Sequence, residues 1–198
     1  GRDTGWLTAS SALARECASG GPDLIYMPET YFDMNTFLGD VTNALSSNSR
    51  VIVSVAEGIR DKNGNYAGEG MMSGVTDAFG HKYLAGTGKA LETEIRNRLG
   101  VKVRSVELNV LQRCAGHIIS GVDIEESVRI GRAGTKAAIE GKTGIMVTFV
   151  RRAEGSYYCD ISSADVKEVA NKVKTIPASW INKQGNDITD EFIKYARP

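Results

Sequence analysis

The chain lacks the features that mark several large functional classes. None of its 198 residues belongs to an apolar run approaching the roughly 20 residues a membrane-spanning helix needs. Lys and Arg number 24 and Asp and Glu number 24, so formal charge is zero. A nucleic-acid binder carries a clear basic excess; neither nucleic acid nor membrane is an expected partner. The three cysteines, Cys17, Cys114 and Cys159, are far apart and form no C-x-x-C pair, which argues against a zinc site and a disulfide framework. Reducing, cytoplasmic surroundings fit that usage. The first residues, Gly1-Arg2-Asp3, show no signal-peptide pattern and no initiator methionine, so the chain is expected to be a piece of something longer.

Recognisable catalytic constellations are also scarce. His81 and His117 have no partners at ligand spacing and read as ordinary loop or helix histidines. No serine stands in a Gly-x-Ser-x-Gly elbow, and no two carboxylates present themselves as an acid/base couple. Residues 84–90 look at first like a phosphate loop. The motif requires glycine where Tyr83 stands and Ser or Thr where Ala90 stands. Lys89 is therefore expected to be solvated. No metal ligands are expected in this chain, and nothing in it makes a self-sufficient active site.

What the chain does have is alternation. Strand-like apolar runs at 23–27, 50–56 and 144–150 are interleaved with helix-like runs at 6–18, 36–45, 88–99 and 123–140. A further helix is expected to open at Ser163-Ala164-Asp165, and a short one over 187–195. Strands separated by helices predict an α/β fold: three layers, a mainly parallel sheet, and helices on both faces. A single α/β domain over 1–198 is expected, with a Gly- and Asn-rich irregular excursion at 61–74.

The most informative stretch is Val103 to His117, which carries Arg104 and Arg113. A β-branched run leading to Gln112-Arg113 predicts a strand that delivers two guanidiniums to a loop and helix start. A guanidinium matches phosphate oxygens bidentately and stays charged at any working pH. On one helix the spacing would be about 900°, putting the two side chains on opposite faces. They can share a ligand only if the chain bends between them, or one can serve a neighbouring subunit. The plainer alternative is two surface arginines flanking a core strand. Glu57 follows the clearest strand and precedes a glycine. That is where ligands gather in open parallel sheets, and its carboxylate could accept hydrogen bonds from sugar hydroxyls, hold a cation, or simply cap a loop. Glu29, after Pro28, has a similar position and a weaker case.

Four segments in order resemble the phosphofructokinase family, most closely its pyrophosphate-dependent branch. Gly1-Arg2-Asp3-Thr4-Gly5-Trp6-Leu7 resembles the end of the family's Met-Gly-Arg motif. Leu24-Ile25-Tyr26-Met27-Pro28-Glu29 resembles its strand ending in Pro-Glu. Val53-Ser54-Val55-Ala56-Glu57-Gly58 resembles the strand that delivers a sugar-binding glutamate. Arg104 through Arg113 resembles the 6-phosphate site. The resemblance implies an acceptor site for fructose 6-phosphate. Gly1 would approach the sugar with its backbone, and Glu57 would bind sugar hydroxyls. Arg113 would clamp the 6-phosphate, and Arg104 would reach an adjacent subunit's sugar. Arg2, the implied catalytic residue, would stabilise transition-state charge. A homodimer or homotetramer is implied for the full protein.

The chain departs from the family pattern in places. Val110 stands where members usually have His or Tyr, and Cys114-Ala115-Gly116 follows Gln112-Arg113. More importantly, the family's Gly-Gly-Asp donor loop and Thr-x-Asp catalytic segment are absent. The resemblance thus implies the C-terminal, sugar-binding portion of a two-domain enzyme. The aspartate base, the Mg²⁺ ligands and the pyrophosphate (or ATP) site would lie elsewhere, and this chain alone would be inactive. The alternatives are a non-catalytic phosphosugar-binding or regulatory subunit, and a structural α/β domain with coincidental motifs.

Overall fold

A computed structural model describes residues 2–17, 20–68, 86–153 and 156–197. Gly1, His81 and residues 69–74 of the expected excursion lie outside that set. Where one domain was expected, the chain divides into two compact units, Gly1–Glu107 with Val173–Arg197, and Leu108–Lys172. Neither crossing point is marked by the proline- or glycine-rich linker that would have announced it.

The first unit is built on two parallel strands, β1 (Leu24–Tyr26) and β2 (Val53–Val55), with Leu24 opposite Val53 and Tyr26 opposite Val55. Alternate side chains of a strand point to opposite faces, and both faces of β1 are covered. Leu24 and Tyr26 enter a cluster with Phe37, Leu38 and Val41 of α2 (Met34–Ser47) and Leu91 and Ile95 of α3 (Thr87–Leu99). Ile25 and Met27 enter a second cluster with Ala9 of α1 (Trp6–Ser10) and a late helix carrying Phe192. This two-sided burial is why β1 reads as an uninterrupted apolar run, and it gives the helix–sheet–helix layering expected.

Local chemistry fixes the helix ends. Asp33 caps α2: its carboxylate accepts from the Thr36 amide and hydroxyl, each at 2.8 Å. That starts the helix two residues before the expected Thr36. α3 begins after Gly86 and ends at Gly100, both left-handed; the Gly100 amide closes the last turn on the Arg96 carbonyl at 3.1 Å. The helix expected at 6–18 is α1 followed by a tighter 3-10 stretch, Ser11–Glu16.

In the second unit, α4 (Asn109–Arg113) and α5 (Gly121–Ile139) precede β3 (Ile145–Arg151) and β4 (Cys159–Asp165). β3 and β4 are antiparallel, from Ile145 opposite Asp165 to Arg151 opposite Cys159. A mainly parallel arrangement therefore describes the first unit and not the second, because the chain after β3 turns straight back instead of crossing over through a helix. β4 also corrects the helix expected from Ser163. The capping signal is real, but it belongs to Asp165, which accepts from the Lys167 amide at 2.8 Å to open the short α6 (Val166–Val169). The final helix is α7 (Asp190–Ala196), back in the first unit. Among the described residues, no helix is long and apolar enough to cross a membrane.

Candidate functional site

The carboxyl end of β2 turns sharply at Ala56-Glu57-Gly58. Ala56 and Gly58 are buried and Ile59 is fully enclosed, while Glu57 between them is exposed. Anchored neighbours thus push one carboxylate outward, and no described residue hydrogen-bonds it. Gly58 is packed against the chain start so closely that a β-carbon there would overlap the Arg2 carbonyl. The Arg2 backbone is therefore packed on the residue that follows Glu57, so two residues singled out separately in the sequence lie on neighbouring stretches of chain. An ion pair from Arg60 to Asp3, 2.7 Å, fastens the same two segments. Both side chains are solvated, so the pair adds less than about 1 kcal/mol. Beside it lies an open cleft of about 430 Å³ lined by Asp3, Pro28, Arg60, Val173 and Thr175. Glu57 and Arg104 are not among its lining residues.

Arg104 lies on an extended run that joins no strand. The run is held against α3 by side-chain bonds rather than a backbone ladder, which is why the expected strand does not form. Val101, Val103 and Ser105 face inward while Lys102, Arg104 and Val106 are exposed. Ser105 is the fixed point. Its amide and hydroxyl donate to Glu92 Oε2 at 3.0 and 2.6 Å. The other carboxylate oxygen accepts from Lys89 Nζ at 2.9 Å and from Arg96. The Ser105 hydroxyl, then Lys89, the Ser105 amide and Arg96, hold the Glu92 carboxyl far below the usual carboxylate range. Lys89 is exposed, as expected, and has this carboxylate partner as well. At the start of the same helix, Thr87 Oγ1 donates to the Glu57 carbonyl at 2.9 Å.

Arg113 belongs to the second unit. It ends α4 and is exposed, so the helix precedes this arginine instead of beginning after it. The chain changes from extended run to helix at Asn109, which has a positive φ, a conformation asparagine tolerates better than most residues. Arg104 and Arg113 fall on either side of the division between the units. Val110 and His117 are exposed. Glu29 ties distant backbone together, since its Oε1 accepts from the amides of Gly5 and Ile176, each at 3.0 Å. No group of three His, Cys, Asp or Glu side chains converges to hold a metal among the described residues.

The sequence profile of the phosphofructokinase family matches residues 1–137. The chain belongs to the phosphofructokinase family. It is 35% identical to the pyrophosphate–fructose 6-phosphate 1-phosphotransferase of Methylococcus capsulatus over 198 residues, covering 100% of this chain and 46% of that protein. Identity to the Rhodospirillum rubrum enzyme of the same name is 37% over 203 residues, covering 100% and 50%. The crystal structure of the pyrophosphate-dependent phosphofructokinase from Nitrosospira multiformis superposes with a TM-score of 0.76 at 27% identity, covering 100% of this chain and 45% of that one. The chain spans about half the length of the curated relatives it matches. Within this family frame, Thr87, Glu92 and Ser105 are the side chains that sequence reasoning missed. The spacing of Lys89, Glu92 and Arg96 was the available signal, and it reads equally well as a solvated helix face.

Proposed function

We propose that this chain is the fructose 6-phosphate-binding portion of a 6-phosphofructokinase that transfers phosphoryl from pyrophosphate to the sugar 1-hydroxyl. The observation that carries the proposal is the packing of the Arg2 backbone on Gly58, next to the outward-facing Glu57 at the carboxyl end of β2, in a chain that pyrophosphate-dependent relatives match from end to end. Glu57 accepts hydrogen bonds from the sugar hydroxyls. Arg113 binds the 6-phosphate through paired, charge-assisted N–H bonds. Arg104, exposed and unpaired with any described residue, serves the phosphosugar of an adjacent subunit in a homodimer or homotetramer. The fixed charge of Arg2 faces the oxygens that gain negative charge as the phosphoryl group moves. Mg²⁺ would neutralise the pyrophosphate oxygens. Its ligands, and the aspartate that takes the 1-hydroxyl proton, belong to the remainder of the parent protein. Cytoplasmic surroundings complete the proposal.

The test is a calorimetric titration of fructose 6-phosphate into the chain and into its Arg113→Ala and Glu57→Ala variants. Weak binding is expected, and losing the charged bonds of Arg113 should cost roughly 2–3 kcal/mol. The 198-residue chain should transfer no phosphoryl group, whereas the complete protein should do so with pyrophosphate. Transfer by a verified single species of this length would overturn the placement of the catalytic aspartate. A complete protein whose KM for fructose 6-phosphate is indifferent to Arg113→Ala and Glu57→Ala would overturn the site.

A further inference from the structure

Two polar side chains are buried among the described residues, Thr87 at 5% exposure and Glu92 at 6%, and both belong to α3. Burying such groups is costly unless each is bonded, so their partners are informative. Five residues of helix turn about 500°, so the two side chains leave α3 about 140° apart and meet different segments. Thr87 meets the backbone of Glu57. Glu92 meets Ser105, next to Arg104.

We propose that α3 is the positioning element of the sugar site, with Thr87 fixing Glu57 and Glu92 fixing Arg104. The proposal rests on the sugar-binding roles given above to Glu57 and Arg104. Neither Thr87 nor Glu92 touches the ligand; each acts through the residue it holds. The Glu92 carboxylate accepts two bonds from Ser105 and two from cations on its own helix. It therefore stays ionised and fully bonded. With Ser105 turned inward, the alternation of an extended chain turns Arg104 outward. α3 also approaches the run closely, since a β-carbon on Gly88 would lie 3.2 Å from that of Ser105. At the other contact, a β-carbon on Gly68 would lie 3.0 Å from Thr87 Oγ1. Water has little room to replace the bond to Glu57.

The test uses the complete protein and separate KM values for fructose 6-phosphate and pyrophosphate. Thr87→Val and Glu92→Gln should each raise the sugar KM by about tenfold, as loss of a buried or charged bond does, and leave the pyrophosphate KM within about twofold. Thr87→Ser, which keeps the hydroxyl, should restore the parental value. In an Arg104→Ala background, Glu92→Gln should add nothing, because the residue it positions is gone. Ser105→Ala should reproduce the Glu92→Gln effect at about threefold, and it keeps the proposal open to failure where Glu92→Gln does not fold. If Glu57→Ala and Arg104→Ala leave the sugar KM unchanged, the assignment of the site fails. If those two raise it while Thr87→Val, Glu92→Gln and Ser105→Ala do not, the site stands and α3 has no positioning role. Additive effects of Glu92→Gln and Arg104→Ala would overturn the link from Glu92 to Arg104.

Discussion

Gly58 has no room for a side chain, because a β-carbon there would overlap the Arg2 carbonyl. Gly58→Ala must therefore push the Arg2–Asp3 segment off the end of β2 or move β2 itself. Overpacking of this kind costs typically about 1–3 kcal/mol. The expected outcome is a lower Tm together with weaker fructose 6-phosphate binding, read by calorimetry on the same sample. A variant with parental affinity would mean that the Arg2 backbone need not lie against Gly58 for the sugar to bind. Legibility in the sequence differed residue by residue here. Glu57 stood out because a carboxylate at the carboxyl end of a strand has a recognisable context. Arg104 and Arg113 stood out because guanidiniums beside an apolar run do. Thr87 did not, since a threonine opening a helix looks like an ordinary cap, and only the structure shows its hydroxyl donating to a carbonyl 30 residues earlier.

At the scale of elements, the helices were more legible than the strands. α2, α3 and α5 carry apolar residues at helical spacing and have clear end signals, so expectation and structure differ by only one or two residues at most of their ends. β4 has the sequence Cys-Asp-Ile-Ser-Ser-Ala-Asp, with few β-branched or aromatic residues. Its strand character comes from pairing with β3, a tertiary cause absent from its own composition. The run carrying Arg104 was misread for the converse reason. Its residues favour a strand, but its amide at Ser105 is taken by Glu92. The docking of this run on α3 should consequently depend on pH. The Glu92 carboxyl sits far below its ordinary value near 4.5 in the folded chain. A group depressed in this way contributes stability that is complete above its unfolded value and drains away as pH falls below it. The Ser105 amide resonance should thus be constant from about pH 8 to pH 5, then move as the run is released under more acidic conditions. A midpoint near neutrality would mean that Glu92 does not hold the run.

The two units differ in what holds them, and the difference has a measurable consequence. The first buries two apolar clusters around β1, with Phe37, Ile25, Met27, Ile59 and Phe192 almost wholly enclosed. In the second, Cys159 is the one buried side chain among the described residues, while Leu111, Ile118, Ile119, Val128 and Phe149 are exposed. Its ladder pairs seven residues of β3 with seven of β4, against three and three in the first unit. If backbone pairing set local stability, the second unit would be the more protected. Burial gives the opposite order, because a hydrogen bond exchanged with water contributes little net stability and apolar area removed from water contributes most of it. Amide exchange in this chain should accordingly be faster throughout α5, β3 and β4 than in β1 and α2. Exposed apolar side chains such as these are what a covering partner would bury. In the complete protein, protection of α5 and the β3–β4 pair should rise while that of β1 stays where it was. Equal protection of the second unit in both proteins would separate its stability from any such covering, and would leave the ladder itself as what holds it.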